Sequence, residues 1–263
     1  MPEISHLHLL GAFGAAFLAG GINSVAGGGS MISFPILMAL GLPPLIANAT
    51  NTAGIWSGAI GSLWGFRREL ARVPKPMHWF LLPAIIGGIV GALLLRVTAP
   101  DVFNRIVPFL ILFATLLFIG RAPIQRRLMA RTGSASHSTT KQWWIVALVL
   151  QLIVAIYGGY FGAGMSIMML SILAVIGMTD ILEMSAMTSL LSLAINGVAG
   201  LIFIASGLVA WPFVAVMAVG AIMGGYLAAG LARKIGKVLI QRFVIAVGLT
   251  LAAVMFIKIF LAI

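Results

Sequence analysis

Apolar residues fall in long runs along this chain, and polar residues mark where the runs stop. The apolar blocks are 7–42, 45–66, 79–95, 103–120, 143–177, 181–204, 211–231 and 239–263. Each of the shorter blocks is long enough, at about 1.5 Å rise per residue, to cross a hydrocarbon core of about 30 Å as one helix. Blocks 7–42 and 143–177 are too long for that. The first would measure about 54 Å as one helix, yet it is slightly short for two full spans. Both are interrupted by glycine, as Ala26-Gly27-Gly28-Gly29-Ser30 and as Gly162-Ala163-Gly164-Met165-Ser166. The pattern predicts an all-α polytopic membrane protein.

Composition strengthens that reading. Hydrophobic residues make up 62% of the chain and charged residues 8%, where a soluble domain carries about 25% charged residues. Cysteine is absent, which excludes disulfides, thiolate chemistry and Cys-based metal sites. The net charge of +11 reads as basic loops on the cytoplasmic side of a membrane. No stretch combines basic and aromatic residues as a nucleic-acid platform would, so no nucleic-acid partner is expected. Residues 1–8 hold Glu3 and no Lys or Arg. A secretory leader needs positive charge there, so the block from Leu7 is read as retained helix.

The chain reads as a duplication. Gly28 and Gly41 have the same spacing as Gly164 and Gly177. The run "ANATNT" at 47–52 is answered by "SAMTSL" at 185–190, and "FNRIV" at 103–107 by "IQRFV" at 240–244. Gly87-x-x-x-Gly91 is answered by Gly220-x-x-x-Gly224, a spacing that lets helices pack closely in lipid. The matches keep their order, as in a transporter built from repeats. The expected division is a first transmembrane repeat at 1–120, a cytoplasmic basic loop at 121–142, and a second repeat at 143–263.

Positive charge orients the repeats. If each long block crosses once, the repeats are parallel and the sixteen Lys and Arg divide ten against six. If each folds into a hairpin at its glycines, the division is thirteen against three, with only Arg96, Arg105 and Lys258 on the poorer side. The second matches the positive-inside rule. The expected fold is therefore two inverted repeats, each a Gly-broken helical hairpin plus three spanning helices. The central loop would be cytoplasmic and both termini periplasmic.

The interruptions suggest a site. A helix beginning inside a membrane points unpaired N–H groups and a partial positive charge at whatever faces it. Irregular backbone survives there only when buried in protein or lining a watery cavity. Two such helix starts, at Ser30 and Ser166, would make a site for a small anion without a basic side chain. Candidate ligands are Gly27, Gly28, Gly29, Ser30, Gly162, Gly164 and Ser166. Asn23, Asn48, Thr50, Asn51, Tyr160, Thr188 and Ser189 join them as polar residues within the apolar blocks. Such amides and hydroxyls also serve as glue between helices. Thr50 matches Thr188 and Asn51 matches Ser189. Arg105 and Arg242 also match; they either anchor to headgroups or gate a passing anion. The carboxylates lie outside the blocks or at their ends, and the four histidines lie near block ends or in the loop. No metal, cofactor or enzymatic acid–base pair is expected.

The stretch "GGGSMISFPILMALGLPPLIANATN" at 27–51 resembles the signature of the TauE/SafE family of anion exporters and permeases. "YGGYFGAGMSIMMLSILAVIGMTD" at 157–180 resembles that family's second-repeat signature. The family-like positions are Gly27, Gly28, Gly29, Pro35, Thr50, Gly162 and Gly164. Met165 departs from the glycine common in the family, and Ser171 from a common proline. The resemblance implies a multi-pass transporter of the bacterial inner membrane. Its substrate would be a small anion such as sulfite, a sulfonate such as sulfoacetate, thiosulfate or a related carboxylate. Export by alternating access, as one repeat rocks against the other, is the expected mode of transport. The partners are then that anion and the lipid bilayer, and a homodimer is one assembly open to such a chain. A passive anion channel and a non-transporting membrane assembly subunit are the alternatives.

Overall fold

The computed structural model describes residues 5–25, 28–132, 141–231, 245–246, 248–250 and 252–257. Among these there are helices and turns and no strands. The helices are α1 (His6–Val25), α2 (Ser30–Ala39), α3 (Pro44–Gly65), α4 (Arg67–Leu70), α5 (Leu81–Val97), α6 (Pro100–Thr132), α7 (Lys141–Tyr160), α8 (Met165–Val175), α9 (Ile181–Ala205) and α10 (Trp211–Leu231). A 3-10 turn at Lys75–Phe80 leads into α5, and a last helix is described in part between 245 and 257.

Among the described residues, four helices are long and apolar enough to cross a membrane: Lys75–Val97, Pro100–Gly120, Gln142–Tyr160 and Ile181–Ala205. Two short helices follow the glycine breaks: α2, with ten residues, and α8, with eleven. Each would be about 15 Å long, half the thickness of a hydrocarbon core. The first long block is a hairpin. Gly29 lies against the Ala19 carbonyl and Gly11 against the Leu40 side chain, so α2 runs back along α1. In the second half α8 packs on α7, with the Met165 sulfur beside Gly158.

The two short helices end alike in backbone detail. Helix α2 ends with Gly41 at φ +91, and α8 with Gly177 at φ +97. In both, the next N–H reaches back across the turn: Leu42 to the Leu37 carbonyl and Met178 to the Leu173 carbonyl. These are twin Schellman caps, in which a left-handed residue lets two orphan carbonyls be satisfied.

Packing exchanges partners between the halves. Helix α1 packs on α10 and α7 packs on α5. Helix α3 packs on α10 and α9 on α5, while α3 and α9 meet each other. The seams run along the paired glycines. A Cβ added at Gly91 would lie 2.1 Å from the Ile156 carbonyl oxygen, and one at Gly224 would lie 1.9 Å from that of Phe17. No side chain fits at such separations. In lipid, where the hydrophobic effect cannot pull helices together, this backbone-to-backbone contact supplies the dispersion energy.

Helix α3 is central. Asn48, Thr50, Asn51 and Thr52 on it are buried by neighbouring helices, so it need not present an apolar surface to lipid. Exposed apolar side chains are numerous on the outer helices, including Phe109, Phe113 and Leu116 on α6 and Val146 and Val149 on α7. The outer helices match what a bilayer demands of lipid-facing positions.

One boundary differs from expectation. Helix α6 continues to Thr132, through twelve residues expected to belong to a loop. Ala122, Gln125, Arg126, Arg127, Leu128, Met129 and Ala130 are good helix formers, so charge ends the apolar block without ending the helix.

Candidate functional site

The two interruptions are built differently. Gly28 has φ +93, and a Cβ there would lie 2.9 Å from the Phe118 ring, so conformation and space both demand glycine. Gly29 then opens α2 without any side-chain cap, and its N–H donates to Asn23 Oδ1 at 2.7 Å. In the second half Gly162 and Gly164 both have φ +80, and Gly164 opens α8, again with no side-chain cap. The first turns of α2 and α8 therefore keep the partial positive charge of a helix start with no carboxylate to neutralise it.

Both interruptions face one cavity of about 60 Å³. Asn23, Gly28 and Ser30 reach it from the first half; Gly162, Met165 and Ser166 reach it from the second. Helix α9 supplies Ser185, Thr188, Ser189, Ser192 and Asn196, and helix α3 supplies Ile55, Trp56, Ala59 and Ser62. No described lining residue is charged. A water needs about 10–15 Å³ of such space, so the cavity has room for a small oxyanion or a few waters.

The hydroxyls differ in what they can offer. Ser185 donates to the Ile181 carbonyl at 2.7 Å, Ser189 to the Ser185 carbonyl at 2.9 Å, and Ser62 to the Gly58 carbonyl at 3.2 Å. Thr188 does not behave this way. Its Oγ1 is buried without any hydrogen-bond partner, on a residue only 6% exposed. A buried hydroxyl left unpaired costs about 1–3 kcal/mol. Thr188 borders the cavity, and its hydroxyl proton is unclaimed.

Other candidates from the sequence are used elsewhere. Asn48 Nδ2 donates to the Tyr160 carbonyl at 2.9 Å, tying α3 to the end of α7. Thr50 Oγ1 accepts the Ala210 N–H at 2.9 Å, just before α10. Asn51 Oδ1 accepts the Ser33 hydroxyl. The Tyr160 hydroxyl meets Thr98 at 3.4 Å, and its ring lies beside Phe103. Gly29 packs on Ala19, and Gly164 faces Ala114. None of these six lines the cavity. Arg105 is exposed on α6 and does not line it either. Gly27 and Arg242 lie outside the described residues.

The candidate set left out Ile55, Trp56, Ala59, Ser62, Met165, Leu170, Ser185, Ser192 and Asn196. One signal was available. Residues 185, 188, 189, 192 and 196 are all polar and recur at three- and four-residue steps, a stripe on one helical face. The α3 lining is mostly apolar and carries no such mark.

Ser30 also borders a second void, of about 10 Å³, with Phe34, Ile111, Phe161 and Ala163. The Phe34 and Phe161 rings meet edge to face at 5.4 Å, joining the two interrupted segments.

The profile of the sulfite exporter TauE/SafE family matches residues 12–255. This chain belongs to the TauE/SafE family. A probable membrane transporter protein of Haemophilus influenzae is 27% identical over 244 residues, covering 92% of each chain. Probable membrane transporter protein ORF9 of a Sinorhizobium species is 31% identical, covering 93% of this chain and 91% of its own. Probable membrane transporter protein YfcA of Escherichia coli K12 is 30% identical, covering 93% and 88%. No solved structure gives a significant match. As a TauE/SafE member with these helices, the chain is a multi-pass membrane transporter, and the cavity is where its halves meet.

Proposed function

We propose that the chain exports a small anion, sulfite or a sulfonate, through the cavity between the two interruptions. One observation carries this reading: two helix starts opened by glycine and the unpaired Thr188 hydroxyl border one cavity whose described lining carries no charge. An oxyanion is the guest that such donors and dipoles favour. The family description, sulfite exporter, supports the same substrate class. Gly28, Ser30, Gly162, Ser166, Thr188 and Ser189 would surround the anion, with Asn23 holding the first interruption in shape.

The membrane would be the bacterial inner membrane, with the halves as inverted repeats, the 121–142 segment cytoplasmic and both termini periplasmic. The thirteen-to-three division of basic residues supports that orientation. Cytoplasmic negative potential would then help expel the anion, by about 2.3 kcal/mol per charge per 100 mV. The exchanged packing changes which parts move. The glycine seams join α1 to α10 and α5 to α7, so the rigid bodies mix helices from both repeats. Rocking would occur where α3 and α9 cross, with Phe34 and Phe161 parting on the far side of Ser30.

Flux in proteoliposomes tests this. Vesicles holding the purified chain should release sulfite or short sulfonates saturably, with Gly28→Leu abolishing release. Equal flux in empty vesicles, or full flux in Gly28→Leu with Ser30→Ala, would remove the site assignment. Non-saturating flux would make the chain a channel.

A further inference from the structure

The cavity has two unlike walls. Helix α9 presents only hydroxyls and an amide, while α3 and α8 present mostly apolar side chains, Ile55, Trp56, Ala59, Met165 and Leu170, with Ser62 and Ser166 among them. Trp56 is the largest of these and is only partly buried. Its ring crosses to α9 and lies against Gly197: a Cβ added there would sit 3.5 Å from Trp56 Cε3 and 3.6 Å from Cζ3. Gly197 directly follows Asn196 of the polar stripe, so the indole sits beside the polar wall. The matched position in the other half carries no such bulk. The spacing that matches Thr50 with Thr188 matches Trp56 with Ala194.

We infer that Trp56, seated against Gly197, determines which anions the cavity accepts. The charged head lies toward Thr188 and the helix starts, and a short carbon substituent lies on the indole face. The face of the indole, unlike its edge N–H, offers no donor to a bare oxyanion, whose oxygens all seek donors. It stabilises a methyl or ethyl group by removing apolar surface from water. A cavity of about 60 Å³ with the indole in its wall also limits length. Trp56 is thus a specificity residue, and Gly197 positions it. The inference rests on the anion-transport reading above.

The test compares sulfite with methane-, ethane- and butanesulfonate in proteoliposomes carrying wild type, Trp56→Ala, Trp56→Phe or Gly197→Leu. Wild type should prefer methanesulfonate to sulfite and pass butanesulfonate poorly. Trp56→Ala should lower the methanesulfonate-to-sulfite ratio about ten-fold and admit butanesulfonate, as expected when an apolar contact of one or two carbons is lost. Trp56→Phe should keep most of the preference. Gly197→Leu, which drives the ring into the cavity, should exclude ethanesulfonate while passing sulfite. Substitutions that change total flux but leave every ratio within two-fold of wild type overturn the inference and leave the transport reading intact. Absence of any flux from folded wild type overturns both. If Trp56→Ala fails to fold, the Phe and Leu variants decide.

Discussion

Thr50 and Thr188 occupy matched positions in the two halves, and the structure uses them in opposite ways. Thr50 accepts the Ala210 N–H that begins α10, 160 residues away. Thr188 has no partner and lines the cavity. Their neighbours repeat the contrast: Asn51 is bonded to Ser33, while Ser189 lines the cavity. At matched sequence positions, one threonine is a joint between helices and the other borders the cavity. Matched motifs therefore do not imply two equal half-sites.

Glycine seams give the largest expected effect, and they should treat the halves alike. Gly91→Val and Gly224→Val each place side chain into a carbonyl, and both should abolish folded protein, read as loss of the monodisperse peak in detergent. If only one did, the exchanged packing would not be equally important in both halves.

The threonines separate next. Thr188→Val keeps the shape and removes the hydroxyl. Transport should fall roughly ten-fold or more, the worth of a hydrogen bond to a charged group, while thermal stability holds or rises because no unpaired hydroxyl remains. Thr50→Val should do the reverse. It orphans the Ala210 N–H, so about 1–3 kcal/mol of stability is lost, with flux per folded molecule unchanged. Flux and melting measurements on both variants check the pair; equal behaviour would erase the contrast drawn above.

Arg105→Gln should have the smallest effect. The side chain is exposed and does not line the cavity, so flux within two-fold of wild type is expected. A large loss would give that arginine the gating role its matched position suggested.

Much of this was legible before any coordinates. The equal Gly28–Gly41 and Gly164–Gly177 spacings become breaks and twin caps, because positive φ leaves glycine as the residue of choice. Paired Gly-x-x-x-Gly runs become seams because only small residues let backbones touch. Division of labour between the halves was not legible. Whether Thr50 or Thr188 is free depends on where the chain from a distant helix arrives, and the motifs "NATN" and "AMTS" contain no record of that. Apolar lining residues such as Ile55 and Ala59 were hidden for another reason. In a membrane protein, apolar side chains line cavities, fill cores and face lipid, and periodicity cannot tell these apart.

The α1–α10 seam has a consequence for biosynthesis. The mate that fits α1 through Gly220 and Gly224 leaves the ribosome about 200 residues later, roughly 10–40 s at ordinary elongation rates. During that interval the first hairpin sits in the bilayer with its polar break unshielded by its final neighbours. Neither half, expressed alone, can finish its own contacts. Two separately encoded halves should instead find each other after insertion and restore activity together.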